Sequence, residues 1–200
     1  DSEAFKKSVG LNGVGTKAVN ALSEKFIVES FRDNQKILIE YKKGELSDKN
    51  KICSSTEKDG TRIAFIPDQK IFKKFRFIQE YVENQIMNYV FLNAGLKINF
   101  NNKIYFSNDG LKDLLLFNTK NQNIRYPIIH LKGKDIEMAM THGNQYGEDY
   151  YSFVNGQNTI HGGTHLSAFK ESVVKTLRDY YKKDFDSTDV RASIIAAVSI

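Results

Sequence analysis

Cysteine, proline and long apolar runs are all scarce in this chain of 200 residues, and each scarcity excludes something. A single cysteine, Cys53, leaves no internal disulfide scaffold and no multi-cysteine zinc site, a usage that suits the cytosol. Two prolines leave no room for a long Pro-rich linker. No apolar run approaches the ~20 residues that a membrane span needs, so the sequence does not read as a membrane protein. An apolar fraction of 40% with 12% aromatics is too high for a disordered tail. The length suits one large domain or two small ones, and a chain of this size buries roughly 70% of its unfolded surface.

Charge is also unevenly spread. The 29 Lys and Arg outweigh 24 Asp and Glu, for a net +5 and an isoelectric point near 9.1. Residues 1–123 hold 20 basic and 15 acidic side chains, whereas residues 124–200 hold nine of each. A mildly basic half attracts polyanions, but this excess is common in soluble domains. The sequence opens on Asp1 with no signal-peptide pattern and closes on the apolar stretch Ile194–Ile200. It is therefore expected to be a piece of a longer protein.

Periodicity gives the expected elements. Glycines cluster at Gly10, Gly13 and Gly15, and Thr16–Lys25 then reads as a helix with Val19 and Leu22 on one face. Phe26–Phe31 alternates, Asp33-Asn34 supplies a turn and Lys36–Tyr41 returns. Ser47–Lys58 reads as a polar loop, and Thr61–Ile66 as a strand stopped by Pro67. Ile78, Val82, Ile86 and Val90 recur at helical spacing through Ile78–Leu92. Lys97–Phe100 and Ile104–Phe106 pair across Asn101-Asn102. Leu111–Phe117 is a short helix, and the polar run Lys120–Asn123 is the expected linker between domains 1–123 and 124–200. Strands follow at Ile128–Lys132, Ile136–His142 and Asp149–Val154. A loop at Asn155–Gly163 leads to a long helix, His165–Lys182, with Thr164 as N-cap and a buried stripe of Phe169, Val173 or Val174, Leu177 and Tyr180/Tyr181. Ser193–Ile200 is a last strand.

Few motifs carry chemistry. Gly10 to Gly15 is followed by Thr16-Lys17, the wrong order for a P-loop, and no strand precedes it as a dinucleotide fingerprint requires. Glycines that let backbone N–H groups approach an anion, followed by a helix start, still have the physics of a phosphate site; a plain loop-to-helix turn has the same sequence. Gly162-Gly163-Thr164-His165 reads as a tight turn and cap. His161 and His165 stand four apart with no Glu between them, too few ligands for a metal. His130 and His142 read as partly buried strand residues. Lys70-Ile71-Phe72-Lys73-Lys74-Phe75-Arg76 interleaves cations and rings, as a nucleic-acid surface does and as a solvated turn also does. No nucleophile–base pair is present, and no serine sits in a G-x-S-x-G elbow.

Five segments in order resemble the B subunits of type IIA DNA topoisomerases, the family that includes those of DNA gyrase and topoisomerase IV. Ser8 to Ser23 is similar to the family's "GLHGVGxxVVNALS" segment, and Asp59 to Asp68 to its "GTxVxFxPD" strand. Phe91 to Leu96 is similar to "FLNxG(L/V)", while Tyr151–Asn155 with Gly162–His165 is similar to "xSFVN…GGTH". Asp189 to Ile200 resembles "DVREGLxAVxSV". Asn12 and Asn144-Gln145-Tyr146-Gly147 lean toward the topoisomerase IV branch.

The resemblance implies an α/β (α+β) fold. Residues 1–123 would be the C-terminal portion of a GHKL-type ATPase sandwich. Residues 124–200 would be a transducer domain with a strand-rich sheet and a long crossing helix. It implies ATP contacts at Lys6, Gly10, Leu11, Asn12, Gly13, Val14, Gly15 and Thr61, the first seven in the ATP lid and Thr61 near the adenine. Phe5 falls where many relatives carry a lid tyrosine. The family's catalytic glutamate, magnesium-binding asparagine and adenine-binding aspartate fall before Asp1, and its phosphate-contacting lysine and glutamine after Ile200. No catalytic or metal-binding residue is therefore expected here, and the piece alone is expected not to hydrolyse ATP. The parent is expected to be a cytoplasmic, ATP- and Mg2+-dependent enzyme that changes DNA topology. Its partners would be a second B subunit, the A subunit and duplex DNA, with no membrane. The alternative is a non-catalytic, basic nucleic-acid-binding module that uses the glycine loop only as a turn.

Overall fold

A computed structural model describes residues 13–200. The chain divides into two compact units, with the break between Phe77 and Ile78.

The first unit is built on a meander. Helix α1 (Val14–Ala21) leads into β1 (Ser23–Arg32), β2 (Gln35–Lys42), β3 (Glu45–Lys49), β4 (Cys53–Ser54) and β5 (Gly60–Pro67), followed by the one-turn helix α2 (Gln69–Phe72). The sheet runs β3-β2-β1-β5, antiparallel throughout, with β4 also on β2. Asp33 and Asn34 make the β1–β2 turn with φ of 52° and 59°, the paired left-handed conformation of a two-residue hairpin. Register puts Phe26, Val28 and Ser30 opposite Phe65, Ile63 and Thr61 on one face. Of that face only Phe26 is fully buried; Phe65 and Ile63 are 41% and 50% exposed.

Two expectations fail here. The helix expected over Thr16–Lys25 ends at Ala21, because Ser23 opens β1 and its hydroxyl turns back to the Val19 carbonyl at 2.6 Å. Ser47–Lys58 is not simply a loop, since β3 and β4 add to β2 through backbone pairing that needs no apolar alternation.

The second unit has three layers. Helix α3 (Gln79–Leu92), hairpin β6 (Lys97–Phe100) and β7 (Lys103–Phe106), and helix α4 (Leu111–Asn118) come first. Strands β8 (Ile129–Lys132), β9 (Glu137–His142), β10 (Asp149–Val154) and β11 (Gln157–Asn158) follow, then α5 (Thr164–Tyr181), α6 (Ser187–Arg191) and β12 (Ile194–Ser199). The main sheet runs β11-β10-β12-β9-β8, with β12 parallel to β10 and antiparallel to β9. Strand β12 is apolar on both faces because both are covered. Ile195 and Ala197 pack with Leu111, Leu114, Leu115 and Phe91 of α4 and α3. Ile194, Ala196 and Val198 pack with Phe169 of α5. The β6–β7 hairpin seats Tyr105 against Ile86 and Val90 of α3.

The polar run 120–123 expected as a linker lies inside this unit, where α4 before it and β9, β10 and β12 after it share one core. The stripe expected on α5 holds at Phe169 and Val174, but Tyr180 and Tyr181 are 77% and 61% exposed. Tyr181 instead meets Tyr180 and Phe185 edge-on. Thr164 is the first residue of α5 rather than its cap; Gly163 holds that place with no side-chain cap.

Candidate functional site

Of the residues that the sequence points to for nucleotide contact, Lys6, Gly10, Leu11 and Asn12 lie outside the described residues, as does Phe5. Gly13, Val14, Gly15 and Thr61 are described, and all four belong to the first unit.

Gly13 caps α1 in the left-handed region, φ 60° and ψ 27°, and no side chain caps the helix. Among the described residues a β-carbon at Gly13 would meet no atom within 4 Å, and it is the backbone angle that calls for glycine. Val14 is exposed, and the first turn carries no acidic residue. The N–H groups of that turn therefore lack an intrahelical acceptor and point outward with the positive end of the helix dipole. That arrangement accepts an anion.

The other end of α1 is anchored. Leu22 N–H donates to the Ala18 carbonyl at 3.0 Å, and Asp68 N–H to the Leu22 carbonyl at 2.9 Å. Asp68, 6% exposed, also takes the Lys43 ammonium at 2.8 Å and the Lys70 N–H at 2.9 Å. The Lys43 hydrogen bond first, and the Lys70 N–H second, hold its carboxyl below the usual aspartate range. Asp68 thus ties three places together, its carboxylate holding the β2–β3 turn and the start of α2 and its backbone N–H the end of α1. Sequence reasoning missed it, although an aspartate directly after a strand-ending proline carries an N-cap signal.

Thr61 stands on β5, an edge strand, in register with Ser30 and exposed. Alternation puts it on the face of Ile63 and Phe65. Arg62 points the other way, to Glu29 at 3.0 Å and over the Phe31 ring at 5.3 Å. Phe65, four residues on from Thr61, lines a cavity of about 260 Å³ with Ala18 and Val19 of α1, Leu22 just after it, and Phe72, Phe75 and Phe77. The structure thus brings α1 to the Phe65 end of β5, with Thr61 about 13 Å further along the strand at ~3.3 Å per residue.

Of the four histidines, His161 is exposed and the other three have structural partners. His165 Nε2 lies 3.3 Å from Thr159 Oγ1, which is itself bonded to Ser152. His142 Nε2 meets the Val190 carbonyl at 3.1 Å, which makes it the donor and leaves Nδ1 to accept from Tyr126 Oη at 2.5 Å. His130 Nε2 lies 3.0 Å from Glu137. Burial works to raise the Glu137 carboxyl, but the Leu111 N–H, His130 and Lys132 outweigh it and hold the group below the usual glutamate range. Among the described residues no three His, Cys, Asp or Glu side chains are placed to hold a metal ion. Likewise no described helix is long and apolar enough to cross a membrane.

The mixed α/β architecture is shared with solved ATPase regions of type II topoisomerases. It superposes on the 43K ATPase domain of Thermus thermophilus gyrase B, solved with an aminocoumarin, with a TM-score of 0.80 at 26% identity, over 98% of this chain and 60% of that one. The ATPase region of Saccharomyces cerevisiae topoisomerase II has the same fold, with a TM-score of 0.72 at 21% identity over 94% of this chain and 50% of that one. A family model for DNA gyrase B matches residues 76–200, and the chain belongs to that family. Among its relatives, the B subunit of DNA topoisomerase 4 from Borreliella burgdorferi is 43% identical over 200 residues, covering all of this chain and 33% of the relative. The B subunit of DNA gyrase from Thermotoga maritima is 30% identical over 224 residues, covering 99% of this chain and 35% of the relative. The chain thus spans about a third of the curated relatives that it matches.

Proposed function

We propose that this chain is part of the ATP-operated B subunit of a type IIA topoisomerase, in which ATP binding is coupled to pairing of two B subunits and passage of a DNA duplex. The observation that carries this reading is the opening of α1. Gly13 in the left-handed conformation opens a first turn that, among the described residues, has no side-chain cap and contains no acidic residue, in a chain of the gyrase B family. Gly13, Val14 and Gly15, with Lys6, Gly10, Leu11 and Asn12 before them, would hold the triphosphate through backbone N–H groups and the Lys6 charge. Thr61 would hydrogen-bond near the adenine. ATP supplies the binding energy that pairs two subunits, and Mg2+ neutralises phosphate charge when bound. The second unit, residues 78–200 rather than 124–200 alone, would form the transducer, which relays nucleotide state to an A subunit, a coupling between two global states. The topoisomerase IV branch is favoured over gyrase by the 43% identity to a topoisomerase 4 relative. The parent would work in the cytoplasm.

The 200 residues alone are proposed not to hydrolyse ATP, because the family's general base and magnesium ligand fall outside them. The test is a titration with a non-hydrolysable ATP analogue and Mg2+ on this chain and on one extended at both ends. Binding and dimerisation by the extended chain only are expected. If neither binds, the glycine turn is only a turn and the alternative, a basic nucleic-acid-binding module, takes its place.

A further inference from the structure

Helix α1 has little packed beneath it. None of its eight residues is buried, and Ala18 and Val19 border the cavity of about 260 Å³ rather than a filled core. Its direction is set at its other end, at the elbow Leu22-Ser23 where it turns into β1. Strand β1 lies between β2 and β5, and the residue that follows each neighbour reaches the elbow. Lys43, after β2, gives its N–H to the Ser23 carbonyl at 2.9 Å. Asp68, after β5, gives its N–H to the Leu22 carbonyl, also at 2.9 Å.

These two residues are then joined to each other, the Lys43 ammonium to the Asp68 carboxylate at 2.8 Å. The elbow is thus held from both sides by a pair that is itself closed. The fit on the β2 side is tight, since a β-carbon on Gly44, φ 87°, would stand 3.3 Å from the Ala21 Cα. Ser23, 1% exposed, adds its hydroxyl bond back into α1 at Val19. Leverage gives the elbow its importance. A helix of eight residues is about 12 Å long, so a tilt of about 10° at one end moves the other by about 2 Å. Such a shift takes an N–H out of the range of about 2.7–3.2 Å that a hydrogen bond needs.

We propose that Lys43 and Asp68 are positioning residues for the nucleotide: their ion pair locks the elbow and so fixes where the Gly13 end of α1 stands. Both act through the helix, and neither touches the ligand. The inference rests on the nucleotide reading above and adds to it the device that aims the first turn. Without the Lys43 charge the buried Asp68 carboxylate keeps only the Lys70 N–H among these two partners, and the β2 and β5 sides of the elbow are no longer joined through it.

The test has two readouts. In the 200-residue chain, nitroxide labels on the exposed Cys53 and on Lys17→Cys report the swing of α1 as the width of the distance distribution between them. Cys53 suits this because it pairs with Lys36, at the end of β2 away from the elbow. Lys43→Met should broaden the distribution, and Lys43→Arg should restore it. Asp68→Asn, which keeps a capping side chain on α2 and loses the charge, should broaden it too. In the chain extended at both ends, Lys43→Met and Asp68→Asn should weaken binding of a non-hydrolysable ATP analogue with Mg2+ at least about fivefold, as loss of a charged hydrogen bond allows, while Lys43→Arg stays within about twofold of wild type. The control is Lys25→Met, which removes the Lys25–Glu40 pair at 3.3 Å from the same sheet and should change neither readout. Circular dichroism checks that each variant folds. Unchanged widths in Lys43→Met and Asp68→Asn overturn the proposal, as do broadened widths with unchanged affinity, or an equal loss in the control. If the extended wild-type chain binds no analogue, the nucleotide reading fails and takes this inference with it. If it binds and the variants bind equally well, this inference fails alone.

Discussion

The two units solve the burial problem differently. Residues 78–200 bury both faces of the sheet at its central strand β12, with α3 and α4 on one side and α5 on the other, so that Ile194 to Val198 are essentially without solvent contact. Residues 13–77 bury little beyond Ser23, Phe26, Phe31 and Asp68, and leave Ile63 and Phe65 half in water. Their order comes from backbone ladders and from a polar knot at Asp68. The well-buried unit carries no net charge, and the sparsely buried one carries the whole +5. A region held by hydrogen bonds and edges has surface free for ligands; a region held by its core does not.

The sharpest way to break that comparison is a truncation in each unit. Leu115→Ala, at a side chain with no exposure, is expected to cost about 2–5 kcal/mol of unfolding free energy in urea. Phe65→Ala should cost less than half as much; equal losses would mean that the first unit has a core after all.

Next in size is Glu137. Its carboxylate accepts the first N–H of α4, at Leu111, and faces His130 and Lys132. Charged hydrogen bonds of this kind are worth about 1.5–3 kcal/mol, so Glu137→Gln should lose part of that. The sign with pH follows from the lowered folded value. The contribution is whole above the unfolded glutamate value of about 4.3 and disappears as pH falls through the folded one. Thermal melts from pH 7 down to 3 should show the wild type losing stability below that point and the variant losing less. Parallel curves would remove Glu137 from the account.

Gly13→Ala tests the other unit where it is held by backbone alone. The left-handed angle costs an L-residue about 1–2 kcal/mol, with no clash to add. Hydrogen exchange at α1 should speed up while α4 is unchanged. The smallest effect is expected at Lys112, paired with Asp109 at 3.2 Å in the open; Lys112→Ala should shift stability by less than about 0.5 kcal/mol, and a larger shift in a urea titration would put weight on surface pairs in the second unit.

The sequence was most legible where structure is local. Asp33-Asn34 and Asn101-Asn102 announce two-residue turns because both residues accept positive φ, and both pairs adopt it. The α3 stripe shows in Ile86 and Val90, which pack as their spacing implies. Polar β3 and β4 were hidden because their pairing is set by β2, not by their own side chains. Helix α6 was hidden in a polar stretch, where only Asp186, receiving the Thr188 N–H at 2.7 Å, marks its start. The shared core across residues 120–123 was hidden because it depends on contacts far apart in sequence. At the candidate site the glycines and Thr61 were readable as types at spacings, but the Asp68–Lys43 anchor joins positions 25 residues apart and shows only in three dimensions.

The position of β12 has a consequence for how the chain is made. It lies between β9 and β10, yet of these three strands it is the last to leave the ribosome. From the end of β10 at Val154 to Ile194 at the start of β12, synthesis at about 5–20 residues per second takes some seconds. Throughout that interval two strands with a shared vacancy between them display Ala139 and Phe153 to passing chaperones. The meander of residues 13–77 waits less, since its longest such gap runs only from the end of β1 at Arg32 to the start of β5 at Gly60. The unit that is more robust once finished is therefore the one more exposed to misassembly during translation.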